Sequence, residues 1–189
     1  VLTPEQLRAY EDMKTMALAL FEQGMTTTVN ALTQLMRLHQ ITCGHTKLDD
    51  GTEINIPTNR VAEMMSVIEE TSGKVIIWAG YRHDIESIKL ALQKEYGMAA
   101  VGTYYGDTDD EERRRVVREF QDMDSELRFF VGNPRTGGYG LTLTAASTVV
   151  YFSNSFDLEV RLQSEDRAHR IGQTKSVTYV DLFVPGTID

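Results

Sequence analysis

Gln163, Arg167 and Arg170 stand in the stretch QSEDRAHRIGQ, Gln163 to Gln173. On a helix turning 100° per residue, the three fall within about 60° of one another. Two arginines so placed make a positive fork suited to a phosphate chain. The bland alternative is a solvated face on which Asp166 and Arg170 pair at i, i+4, worth only about 0.3–0.5 kcal/mol. Each arginine taken singly favours that alternative. The set gains weight from a second feature, NPRTGGYGLTLTAA, Asn133 to Ala146, which follows an apolar strand directly. Gly137, Gly138 and Gly140 let the backbone turn sharply and approach a phosphate without Cβ interference. A plain strand-to-helix turn explains the same glycines, and both readings stand on glycine content alone. A dinucleotide fingerprint is rejected, because Leu143 occupies the place of its third glycine.

Other candidates weigh less. RRRVVR, Arg113 to Arg118, offers a nucleic-acid backbone contact. The acids Asp109 to Glu112 lie one turn away and favour a solvated, internally paired face. His39, Cys43 and His45 are too few ligands for a zinc site, and there is no other cysteine. No metal site is therefore expected, and Cys43 reads as a small core residue. Trp78 ends an apolar strand and reads as core, whereas Tyr81, in the loop beyond, reads equally as a base-stacking residue or a plain packing one. The sequence contains no G-x-x-x-x-G-K-[ST] loop and no acidic pair after an apolar strand to hold Mg²⁺. It has arginines to stabilise a transferring phosphoryl group but nothing to cradle it.

These residues need a frame. Thr3, Pro4 and a stripe of Leu7, Tyr10, Ala17, Leu20 and Phe21 predict a first helix ended by Gly24. Ala31, Leu32, Leu35 and Leu38 predict a second over about Thr28 to Ile41. CGHTKLDDGTEINIPTN reads as a loop. From about residue 58, strands KVIIWA, AAVGTY, LRFFVG, STVVYF and SVTYVDLFV alternate with helices. One helix, TDDEERRRVVREFQ, carries a capping box of Thr108 with Glu111. Such alternation predicts an α/β fold with a parallel sheet, helices on both faces and an appended N-terminal helical hairpin. Ligands of such sheets bind beyond the carboxyl ends of the strands, where AGYRH, TYYGDT, GNPRTGGYG and FSNSFD fall.

The chain of 189 residues suffices for one ordinary core. A net charge of -9 argues against coating nucleic acid by bulk attraction, though a local basic groove stays open. No membrane span or signal peptide is evident, and a single cysteine suits a reducing compartment, so a cytoplasmic, intracellular protein is expected.

GGYGLTLTAASTVVYFSNSF followed by QSEDRAHRIGQ resembles motifs V and VI of the Swi/Snf-type helicase-like ATPases of superfamily two. KVIIWAGY resembles their motif IV strand, and YYGDTDDEERRRVVREF the segment after it. LTPEQLRAYEDM and LTQLMRLHQI resemble helical segments that precede the family's second motor lobe. The resemblance covers nearly the whole chain and has a bacterial, phage or fork-remodelling flavour. It implies a RecA-like C-terminal lobe of the P-loop-NTPase type over residues 58–189, with a helical extension and loop over 1–57. It also implies ATP with Mg²⁺ as cofactor, the metal held mainly by an N-terminal RecA-like lobe, and duplex DNA as partner. Arg170 falls on the arginine-finger position with Arg167 beside it. Gln163, Gly138 and Gly140 fall on nucleotide-contacting positions, and Tyr81, Gly106, Arg135 and Thr136 on the DNA side. The sequence departs at Asn133-Pro134, at Thr142, where Asn is usual, and at Ala79. These arginines are expected to lie open to water, lightly paired. The start at Val1 suggests an excised fragment. A non-catalytic α/β scaffold derived from such a lobe is the alternative.

Overall fold

The computed structural model describes every residue except 23, 25, 26, 49, 137–140, 171, 172, 174 and 175, and the side chain of Thr28. Two compact units emerge, one of residues 1–60 with 183–189, the other of residues 61–182. The sequence-based boundary at 57/58 lies close to the first division but does not anticipate the return of the last segment.

In the first unit, helix α1 (Pro4–Glu22) is opened by Thr3. Its hydroxyl accepts from Gln6 N at 3.2 Å, and Gln6 Oε1 accepts from Thr3 N at 3.1 Å, a reciprocal capping box. Helix α2 (Thr28–Cys43) stops at Gly44, whose φ of 99° is left-handed and whose added Cβ would lie 2.3 Å from Thr58 Cγ2. Tyr10, Leu38, Ile41 and Ile56 form the core between them. The predicted apolar stripes are only half used: Leu7, Phe21, Leu32 and Leu35 are exposed. The segment expected as loop holds an antiparallel hairpin, β1 (His45–Lys47) and β2 (Glu53–Asn55). Asp50 and Gly51 make its turn, with Thr52 N donating to Asp50 Oδ1 at 2.8 Å and Gly51 at φ 88°. Strands of three residues are too short to declare a period of two.

A buried ionic cluster closes this unit. The Arg60 guanidinium donates to both Asp189 carboxylate oxygens, at 2.6 and 2.8 Å, and to Thr42 O at 3.2 Å. His39 Nε2 lies 3.4 Å from the same carboxylate, and Ile188 N donates to the Tyr10 hydroxyl at 2.9 Å. His39 therefore faces a carboxylate, and Cys43 is buried as expected of a core residue.

The second unit begins one residue into α3 (Arg60–Glu69) and runs on through β3 (Lys74–Trp78), α4 (Arg82–Tyr96), β4 (Val101–Tyr104), α5 (Asp110–Gln121), β5 (Phe129–Gly132), β6 (Ala146–Tyr151), α6 (Leu158–Ala168) and β7 (Thr178–Asp181). All five predicted strands are present, in the order β4-β5-β3-β6-β7, and every pairing is parallel. β3 lies at the centre, and a strand covered on both faces reads as an unbroken apolar run rather than an alternation. Val75 and Ile77 point to one face with Met64, Ile68, Ile85, Ile88 and Leu92 of α3 and α4. Ile76 and Trp78 point to the other, with Val116 and Phe120 of α5 and Ala168 of α6. Asp109, not Thr108, caps α5, its carboxylate accepting from Glu111 N and Glu112 N. The Thr108 hydroxyl is drawn back to the strand, accepting from Tyr105 N at 3.2 Å. Within RRRVVR, Arg115 pairs with Glu112 and Glu119, as a solvated, self-paired face requires.

Burial alone would raise the Asp189 carboxyl, but hydrogen bonds from His39 and Arg60, with their positive field, hold it below its ordinary value. Its stabilisation is therefore complete above the unfolded value near 4 and is lost as pH falls through the lower folded value. Asp189→Asn leaves the Arg60 charge buried without its counter-ion and is expected to cost about 3–5 kcal/mol. Urea unfolding at pH 7 measures this, and the gap between wild type and variant should narrow below about pH 4.

Candidate functional site

The carboxyl ends of the parallel strands gather most of the unusual polar residues. After β3 the chain passes Gly80 and Tyr81 into α4. Gly80 N donates to Ser153 Oγ at 2.8 Å, and Asn133 Nδ2 donates to Gly80 O at 3.0 Å. Ser153 follows β6 and Asn133 follows β5, so three neighbouring loops are stitched by their first polar residues. Asp84, buried in the first turn of α4, accepts from Ser153 Oγ at 3.4 Å.

The loop after β4 is held from two sides. Tyr105 donates a short hydrogen bond to Glu86 on α4, and Arg82 pairs with Asp107 at 2.6 Å. From α5, Arg113 donates to Tyr105 O at 2.9 Å and Gly106 O at 3.3 Å. The hydrogen bond to Glu86, with burial, pushes the Tyr105 phenol up to about 12, while the same bond holds the Glu86 carboxyl down. Gly106 is thereby presented to solvent, with nothing within 4 Å of where a Cβ would stand. On the next loop, Asn133 folds back to accept from Arg135 N at 2.8 Å, and Thr136 N closes the turn on Asn133 O at 3.1 Å. Arg135 is exposed, donates to Ser155 Oγ at 3.2 Å and lies 3.6 Å from Asp157. Tyr81 is half-exposed at the N-terminus of α4. Tyr81, Gly106, Arg135 and Thr136 therefore share one sheet edge. Gly138 and Gly140 lie outside the described residues.

Gln163, Arg167 and Arg170 do not share one open face. Gln163 is half-buried and donates to Glu159 Oε1 at 2.9 Å, within its own helix. Arg167 is 6% exposed, and its guanidinium sits 5.2 Å from the Trp78 ring centroid, a cation–π arrangement. Burial pushes the Arg167 guanidinium below its ordinary value, against the pull of Tyr104 and Tyr151. The expectation that both arginines lie open to water thus fails for Arg167. The helix also ends sooner than the heptad-length pattern implied: Ala168 is its last residue, and His169 leaves helical geometry with φ -101° and ψ 88°. Arg170 stands beyond it, exposed, and donates to Thr142 Oγ1 at 2.9 Å. One reason for the break is competition for the chain: Leu143 N donates to Arg167 O at 2.8 Å, and Gln173 Nε2 donates to Thr144 O at 2.8 Å. Side chains and backbone of the segment after the glycines thus fix where the loop bearing Arg170 emerges.

Sequence reasoning missed several residues at this edge. Thr142 was noted only as a departure from the usual Asn, yet it receives Arg170. Asn133 and Ser153 carry the stitching, and a polar residue just after an apolar strand was the available signal; Arg161, within α6, gave no such signal. Asp157 caps α6, its carboxylate accepting from Glu159 N at 3.0 Å. Asp181 accepts from Arg161 and from Asn154 Nδ2 at 2.9 Å.

The profile of the helicase conserved C-terminal domain matches residues 59–172. The human chromatin-remodeling ATPase INO80 is 40% identical over 103 residues, 53% of this chain and 7% of that protein. The Neurospora crassa INO80 is 42% identical over 131 residues, 69% of this chain and 6% of that protein. A solved Sulfolobus solfataricus SWI2/SNF2 ATPase core in complex with dsDNA superimposes with a TM-score of 0.76 at 27% identity, over 96% of this chain and 39% of that one. The sheet is thus the RecA-like fold, in the form of a SWI2/SNF2 C-terminal lobe. The chain spans only a small part of the curated relatives it matches. Those relatives are human and fungal, and they lend nothing to a bacterial or phage flavour. No described helix is long and apolar enough to cross a membrane.

Arg167→Ala is expected to change the emission of Trp78, the only tryptophan, and to lower stability by about 1–3 kcal/mol. Arg170→Ala should leave both nearly unchanged, within about 0.5 kcal/mol, when followed by fluorescence-detected denaturation.

Proposed function

This chain belongs to the helicase conserved C-terminal domain family, and we propose on that footing that it is the second motor lobe of a DNA-dependent ATPase that translocates on or remodels duplex DNA. The observation that carries the reading is Arg170: a guanidinium outside the core, at the sheet edge, steadied by one hydroxyl and facing solvent. A cation so placed reaches a nucleotide only if another surface brings it one. ATP bound to an opposing RecA-like lobe supplies that surface. An arginine arriving there neutralises charge on the transferring phosphoryl group and is worth about 10³–10⁵ in rate.

Arg167 supports rather than reaches. Seated over Trp78, it ties the end of α6 to the central strand, from which the Arg170 loop departs. Gln163 stands one turn before Arg167 on α6 and is assigned to the nucleotide with Gly138 and Gly140, which lie outside the described residues. The carboxylates of this edge are engaged, Asp157 as a cap and Asp181 by Arg161. We therefore assign the Mg²⁺ that accompanies ATP to the opposing lobe. On the DNA side, Gly106 and Thr136 offer backbone to phosphates, Arg135 offers charge, and Tyr81 an aromatic face. The dsDNA held by the Sulfolobus neighbour supports duplex as the partner.

The chain alone is expected to show no ATP turnover. In the two-lobe enzyme, Arg170→Ala should lower DNA-stimulated phosphate release by about 10³-fold or more, with the fold unchanged by circular dichroism. Wild-type turnover by that variant would remove the finger assignment.

A further inference from the structure

Helix α6 is poorly anchored by grease. Its buried residues are Ser164, Arg167 and Ala168, so packing alone defines its axis weakly. Directional polar contacts take over, and most of them converge on Arg161. Its Nε donates to Glu165 Oε1 at 2.6 Å, and its Nη1 to Asn154 Oδ1 at 2.7 Å. The same guanidinium grips Asp181, with Nη2 3.2 Å from Oδ2 and Nη1 in close contact with Oδ1. Its Cζ lies 3.5 Å from the centroid of the Tyr151 ring. Tyr151 in turn bonds Ser164 Oγ at 2.6 Å, and Ser164 Oγ donates to Arg161 O at 2.7 Å. Asn154 closes the ring by donating to Asp181 at 2.9 Å.

One side chain therefore joins the end of β6, the end of β7 and two turns of α6. Arginine suits this task because its planar fork offers five donors in fixed directions, and it stacks on an aromatic face. A lysine has the charge but not the plane. Burial works against the Arg161 charge, yet the hydrogen bonds it donates to Asp181 and Glu165 more than offset it and raise the guanidinium above its ordinary value.

We propose that Arg161 is the positioning residue of the site: it sets the orientation of α6, and through it the place from which Arg170 is presented. This rests on the motor-lobe reading. The guanidinium is spent on Asp181, Asn154 and Glu165, so it acts through α6 and not on nucleotide. A displacement of about 1 Å at a reacting group costs on the order of 10²-fold in rate. A loosened α6 thus slows chemistry while leaving ATP capture, which the other lobe dominates, nearly intact.

The test compares Arg161→Ala, Arg161→Lys and Asp181→Asn in the two-lobe enzyme, with Arg170→Ala alongside. Arg161→Lys and Asp181→Asn are expected to lower kcat about 10-fold or more, with KM for ATP within about twofold and a wild-type fraction folded. Arg161→Ala, if it folds, should fall further. A merely structural role would make kcat follow the folded fraction, so a folded Arg161→Lys with wild-type kcat overturns the proposal. Should Arg161→Ala fail to fold, the other two variants decide. If Arg170→Ala is inert while Arg161→Lys and Asp181→Asn turn over normally, only this proposal falls. If Arg170→Ala hydrolyses normally, the finger reading falls instead.

Discussion

The guanidinium of Arg167 rests over the ring of Trp78, and the site depends on that contact. Trp78 is the last residue of the central strand, fully buried and flanked on either side by parallel neighbours. Its ring projects to the face shared by α5 and α6. A charge set against it is held where core ends and solvent begins. Removing such a charge from water is costly, and the aromatic face returns only part of that cost. The arrangement makes sense as a way of fixing position: a cation confined to one seat defines the end of α6 more sharply than a leucine would.

From that seat the rest of the edge follows. Leu143 N captures the Arg167 carbonyl, Gln173 captures Thr144, and His169 leaves helical geometry with Arg170 exposed beyond it. Farther along the edge, Ser153, Asn133 and the Tyr105–Glu86 pair fasten each loop to its neighbour. The sheet also constrains its own residues. A Cβ on Gly132 would stand 2.7 Å from Tyr104 O and 3.1 Å from Trp78 Cζ3, so the strand pair beside the tryptophan closes only around glycine. Apolar strands position the loops, and the loops' own hydrogen bonds hold them still.

Much of this was legible in the residues. The five predicted strands are all parallel and present, and those at the middle, β3 and β5, read as unbroken apolar runs because both their faces are covered. Arg170 stood out by its helical spacing from Gln163 and Arg167, and the loops after β3, β4 and β5 by their place beyond the strands. Three things were hidden, each for a physical reason. Arg167 was expected in water, because helical spacing cannot say which polar residue finds an aromatic ring beneath it. The helix was carried through Arg170, because a break imposed by Leu143 and Gln173 is a long-range competition with no local signal. The Phe183–Asp189 segment was read partly as strand, although its Asp189 is claimed by Arg60 and His39, more than a hundred positions earlier. The short hairpin at His45–Asn55 escaped because three-residue strands carry too little period.

In the proposed motor lobe, Arg170 meets charge that exists only as the phosphoryl group transfers. Binding of ADP with aluminium fluoride, a mimic of that state, measures this most directly in the two-lobe enzyme bound to duplex DNA. Arg170→Ala should weaken the fluoride complex by about 10³-fold, with affinity for a non-hydrolysable ATP analogue within a few-fold of wild type. Equal retention of the fluoride complex by wild type and variant would contradict the account.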